Sequence, residues 1–128
     1  MLKLQLAAWL MSLSCLVLLP ISLEARPILA PPNLIKIYKY QGSLQCEGGG
    51  EPLESMNRQL SKLGVKVIVR QCGVDGLIYP TVCGAPDGHI NIFKIQPRDL
   101  KKAQTLGFDL LRKLPDAQVT ACKSKGWT

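Results

Sequence analysis

APDGHINIFKI, residues 85–95, joins a turn to a strand and sets the fold class. Pro86 fixes one backbone dihedral and Gly88 allows positive φ, so residues 85–88 read as a hairpin turn. HINIFKI, residues 89–95, has the β-branched and aromatic composition of a strand returning from that turn. Pro97 suits the first turn of a helix, and Asp99 stands where the helix dipole favours negative charge. Leu100, Ala103 and Leu106 give this helix one apolar stripe, and Gly107 closes it.

The same order appears upstream. LIKIYKY, residues 34–40, reads as a first strand. Pro52 opens a helix with Glu51 as its N-cap, and Leu53, Met56, Leu60 and Leu63 form its stripe. Gly64 ends it, and VKVIVRQC, residues 65–72, alternates as a second strand with Val65, Val67 and Val69 on one face. The two helices end alike, KLGV at 62–65 and TLGF at 105–108, each with an apolar residue after the capping glycine. Leu77–Val82 is expected as an edge strand, because Pro80 cannot donate to a ladder, and Phe108–Leu111 as a short last strand. The chain is therefore α+β: a mainly antiparallel sheet of three to five strands with two helices on one face. The ferredoxin-like split βαβ is its economical arrangement.

The N-terminus speaks to location. Lys3 precedes an apolar run from Leu4 to Leu19, and Leu23-Glu24-Ala25 supplies a small residue at the cut, the pattern of a secretory signal over residues 1–25. The expectation is export to the periplasm or the medium, with an uncleaved membrane anchor as the alternative. RPILAPPN, residues 26–33, is an extended proline-rich leader, and residues 34–128 are one domain's worth of chain.

Cys15 leaves with the signal, and Cys46, Cys72, Cys83 and Cys122 remain as an even set with three possible connectivities. No C-x-x-C pair suggests zinc or thiol redox chemistry, so the four read as structural disulfides. Cys72 with Cys83 and Cys46 with Cys122 is the preferred pairing, the first closing the hairpin and the second tying the opening loop to the tail.

Catalytic constellations are hard to assemble. His89 is the single histidine, and no G-x-S-x-G surrounds a serine. Glu47, Glu51 and Glu54, with Asp75 or Asp87, lack the alternating oxygen ligands of a calcium loop, so no metal and no cofactor are expected. Gly48, Gly49 and Gly50 stand before Glu51 and a helix N-terminus, where free N–H groups receive anions. No Gly-Lys-Ser/Thr follows, however, and the neighbouring glutamates repel an anion. A sheet-face platform is the other candidate: Lys36, Tyr38 and Tyr40 from the first strand, Lys66 and Arg70 from the second, and Phe93 from the third. Such platforms stack single-stranded RNA, but export and the absence of an RNP1 sequence argue against nucleic acid. The alternative is that the C-terminal segment simply covers this face.

LQCEGGG (44–50), CGVDG (72–76) and VCGAPDGHINIFKI (82–95), running into a helix that ends LGF, resemble a group of small exported bacterial proteins. The resemblance implies an exported single domain and carries over no catalytic residue. A net charge of +7 draws an exported protein to anionic surfaces or acidic proteins. The expected function is thus a non-enzymatic binding or accessory module of the bacterial envelope, of inhibitor, immunity or envelope-accessory type. Its partner would be an anionic or acidic macromolecule. The alternative is a small-ligand or anion sensor using the glycine loop.

Overall fold

A computed structural model describes residues 32–123; the signal segment 1–25 and most of the leader lie outside the described residues. His89–Ile95 forms the central strand (β3). It pairs on one side with Ile35–Tyr40 (β1) and on the other with Val69–Val74 (β2). Asp109–Leu110 (β4) adds outside β1, and Gln118–Thr120 (β5) adds outside β2. The sheet order is β4-β1-β3-β2-β5, with every pair antiparallel. The α+β class and the antiparallel sheet with two helices are as expected. β5 is an addition that a four-stranded split βαβ does not contain.

The helices are Leu53–Lys62 (α1) and Leu100–Thr105 (α2), the second entered through a 3-10 turn at Pro97–Asp99. Pro52, not Glu51, is the residue before the first helical turn, and it makes no side-chain cap. Glu51 instead turns its carboxylate along the helix, where Oε1 accepts hydrogen bonds from Ser55 Oγ at 2.8 Å and from Gln59 Nε2. Both helices end in the Schellman arrangement. The Val65 N–H reaches Leu60 O and the Gly64 N–H reaches Ser61 O; Phe108 and Gly107 repeat this on Ala103 and Gln104. Gly64 and Gly107 carry the positive φ that this requires, 72° and 86°.

Met56 and Leu60 from α1 and Ala103 from α2 pack on Ile37, Phe93 and Ile95, with Val65 and Phe108 closing the core. Phe93 and Phe108 meet edge to face at 5.6 Å. Asn91 is fully buried beside them, donating to Glu51 O and accepting from Gln41 Nε2. That pairing satisfies the amide and ties β3 to the head of α1.

Two expected strands differ. Val65–Ile68 bridges from helix to sheet and β2 begins only at Val69, because the chain bends at exposed Ile68. Val65 and Val67 therefore pack on the core, whereas Val69 lies opposite Lys94 on the other face. Leu77–Val82 is a loop, not an edge strand, and residues 85–88 are its end, not a tight hairpin turn. Asp75 causes this: its Oδ1 accepts the Leu77 N–H at 2.9 Å and its Oδ2 accepts the Tyr79 hydroxyl, which curls the chain away from the ladder.

The disulfides are Cys46–Cys83 and Cys72–Cys122, so the preferred pairing is corrected. Gln45 N–H donates to Ala85 O and Gly84 N–H to Gln45 O, which brings the Cα atoms of Cys46 and Cys83 to 5.1 Å. Cys72 lies opposite Thr120 in the β2–β5 pair, which delivers Cys122 to it. The loops closed span 37 and 50 residues. On the chain-entropy account each bridge is worth about 4 kcal/mol.

Candidate functional site

Strand register sorts the charges. Lys36 and Val69 both lie opposite Lys94, so β1 and β2 start, and β3 finishes, at one end of the sheet. α1 also finishes there and α2 starts there, with Lys102 Nζ about 4.0 Å from where a Gly64 side chain would project. This end collects Lys36, Lys62, Lys66, Lys94, Arg98 and Arg112. None of the six has a carboxylate within ion-pair distance among the described residues. Lys36 and Lys94 stand directly opposite one another on the same face. A like-charge pair in that position costs stability, up to about 1 kcal/mol. The cations nearer the middle are neutralised: Arg70 pairs with Glu54 at 2.9 Å, and Lys113 with Asp109 at 2.6 Å. The Lys113 contact also holds the Asp109 carboxyl below its ordinary range.

The opposite end is acidic. There β1 and β2 finish and β3 begins, and residues 41–51 and 75–88 bring in Glu47, Glu51, Asp75 and Asp87. Asp75 is buried and accepts the Tyr40 hydroxyl at 3.0 Å in addition to Tyr79 and the Leu77 N–H. Burial and the Asp75 hydrogen bond push the Tyr40 hydroxyl well above the usual tyrosine range; at Tyr79 the hydrogen bond is the main cause. Asp87 accepts from Ser43 Oγ at 2.7 Å and from the His89 N–H at 3.1 Å. Burial alone would raise the Asp87 carboxyl, but these bonds and the facing imidazole bring it down to about 2. His89 Nδ1 sits 2.9 Å from Asp87 Oδ1, a close contact without the alignment of a hydrogen bond.

Ser43, Asp87 and His89 thus meet, but in the wrong order for a hydrolase. In a nucleophilic relay the imidazole lies between hydroxyl and carboxylate, whereas here the carboxylate lies between them and takes the serine proton donor itself. Among the described residues no group of three metal-ligating side chains converges.

The glycine loop is an exposed corner. Leu44 and Gly48 exchange backbone hydrogen bonds, and Cys46, Gly48, Gly49 and Gly50 all adopt positive φ. At Gly50 the requirement is also steric, since a Cβ would lie 2.8 Å from Gln41 O and Ser43 N. The Glu51 N–H is already taken by Gln41 O, and the Glu51 carboxylate, paired with Lys39 at 3.7 Å, occupies the side of α1. An anion arriving here meets negative charge and a spent donor.

The platform residues are split between faces. Lys36, Tyr38 and Tyr40 share one face of β1, but Phe93 lies opposite Ile37 and Arg70 and is buried under the helices. Lys66 precedes β2 altogether. Tyr38 and Tyr40 contact edge to face at 5.6 Å, opposite Ile92 and Ile90. Burial, and then nearby Asp109, push the Tyr38 hydroxyl upward. Ile90 and Ile92 are fully buried although the helices are on the far side. The strap Leu111–Ala117 links edge strand β4 to edge strand β5, and its first turn, Leu111–Lys113, contacts β1.

Between strap and β1 runs an open groove of about 380 Å³, lined by Ile35, Leu110, Leu111, Leu114, Pro115 and Ala117, with Lys36 and Arg112 on its walls. Sequence reading did not find this groove or the separation of charge. Both depend on register and on the β4–β5 crossing, and the only sequence signal was the Lys36 side of β1.

The chain matches no family model, no curated protein and no solved structure.

Proposed function

We propose that the protein is an exported, disulfide-stapled binding module, without catalytic activity of its own, that engages an anionic or acidic macromolecule through its cationic end. The observation that carries this is the sorting of charge. Among the described residues, six lysines and arginines without a carboxylate partner collect where β1 starts, beside a single carboxylate, Asp99, which pairs with Lys102; Glu47, Glu51, Asp75 and Asp87 collect at the other end. Solubility needs net charge but not its segregation, and a directly opposed Lys36–Lys94 pair is a stability cost that an anionic partner would offset. Two disulfides suit an oxidising compartment, in keeping with the N-terminal signal pattern.

The test compares two double variants that change net charge equally. Lys62→Gln with Lys66→Gln removes cations from the proposed end; Lys39→Gln with Lys123→Gln removes cations from the acidic end. Retention on an immobilised polyanion such as heparin should shift to markedly lower salt only for the first pair. Equal shifts for both pairs would reduce the effect to overall charge and remove the proposal.

A further inference from the structure

The groove between the strap and β1 joins two properties that seldom serve the same partner. It is lined by half-buried Leu111 and Leu114 and by Ile35 and Leu110, which also pack on the helix-side core, whereas Lys36 projects from the opposite face of β1. Among the described residues Lys36 and Arg112 border it with no carboxylate within ion-pair distance, and Lys94 stands opposite Lys36 across the ladder. A polyanionic glycan or an acidic peptide would satisfy the cations and leave the leucines in water. A neutral lipid would cover the leucines and leave the cations unused. At about 380 Å³ the groove falls within the roughly 300–1,000 Å³ of ordinary ligand sites.

We infer that this groove binds a single-chain amphiphile with an anionic head, its hydrocarbon along Ile35, Leu110 and Leu114 and its carboxylate or phosphate between Lys36 and Arg112. The inference rests on the reading of that end as an anion-binding surface and adds a monomeric ligand beside the macromolecular partner. The strap is well placed to hold such a chain. It is anchored at both ends, by β4 pairing with β1 and by β5 pairing with β2, and the Cys72–Cys122 bridge follows directly. The groove wall is therefore preorganised, and little ordering cost opposes binding.

The experiment is calorimetric titration of the oxidised protein with hexanoate, octanoate, decanoate and dodecanoate below their micelle thresholds. Affinity should rise about twofold to fourfold per added methylene. Lys36→Gln with Arg112→Gln should weaken dodecanoate binding by about fivefold or more and abolish its advantage over uncharged dodecyl maltoside. Leu114→Gln, which adds no charge, should weaken it about tenfold with heparin retention unchanged; Ala117→Gln, a gentler change at the same wall, covers the case in which Leu114→Gln unfolds. Affinity independent of chain length, equal binding of dodecyl maltoside, or binding to anionic vesicles without binding to monomeric dodecanoate would overturn the groove assignment. If those results came with normal heparin retention, only the groove would fall. Loss of polyanion retention from the unmodified protein would instead remove the reading beneath it.

Discussion

Replacing Asp75 with alanine tests whether one buried carboxylate organises the loop between β2 and β3. Asp75 receives three hydrogen bonds, from the hydroxyls of Tyr40 and Tyr79 and from the Leu77 N–H. Bonds to a charged acceptor are worth about 1.5–3 kcal/mol each when their loss strands the donor. Here the donors regain water, since Tyr40 is 41% and Leu77 56% exposed, so about 1 kcal/mol each is the better figure. The expected destabilisation is about 3 kcal/mol, a large share of the 5–15 kcal/mol typical of a domain. In urea, with a slope of about 1 kcal/mol per molar for a small cross-linked chain, the midpoint should fall by about 3 M. Tyr79→Phe alone should cost about 1 kcal/mol. The double variant should cost less than the sum of the two, because both remove the same bond. An Asp75→Ala protein within about 0.5 kcal/mol of the parent, or strict additivity with Tyr79→Phe, would refute the organising role.

Non-reducing peptide mapping should return Cys46 joined to Cys83 and Cys72 joined to Cys122; a Cys72–Cys83 peptide would contradict the loop geometry. Gly50→Ala should cost about 2–3 kcal/mol by thermal unfolding, since positive φ and contact with Gln41 O act together, whereas Gly48→Ala, with open space around it, should cost only about 1 kcal/mol. Asp87 predicts an acid limb. Its folded-state pKa of about 2 lies below the ordinary 3.8, so its contribution of about 2 kcal/mol is present above about pH 4 and lost as pH falls towards 2. Asp87→Asn should flatten stability over that window, measured by urea titration at successive pH values.

Local signals were readable where local chemistry decides the outcome. HINIFKI carries β-branched and aromatic residues on both faces because β3 is central and buried on both. The KLGV and TLGF helix ends were readable because a capping glycine and its following apolar residue act within one turn. Failures came where a distant partner intervened. VKVIVRQC alternates without interruption, but the bend at Ile68 shifts its phase, and a phase shift moves every later side chain to the other face. That shift misassigned the platform, together with Phe93, whose face is fixed by pairing with Ile37. LIYPTV has the composition of a strand, but Asp75 and the Cys46–Cys83 bridge hold it as a loop with Ile78 fully exposed. Gln118–Thr120 has too little apolar character to announce a strand, yet β2 pairing and Cys122 place it. The cationic end combines residues from α1, the link before β2, two strands, the turn before α2 and the strap, so no stretch of sequence displays it.

The most direct test of the charge-sorted binding end is a nuclear magnetic resonance titration of the oxidised, isotope-labelled protein with a soluble heparin fragment. Amide shifts should concentrate at residues 62–68, 94–98 and 110–113 and at Lys36, and should be small over 44–51 and 75–88. Shifts centred on the glycine loop or the Asp75 loop, or spread evenly over all exposed basic residues, would contradict the account.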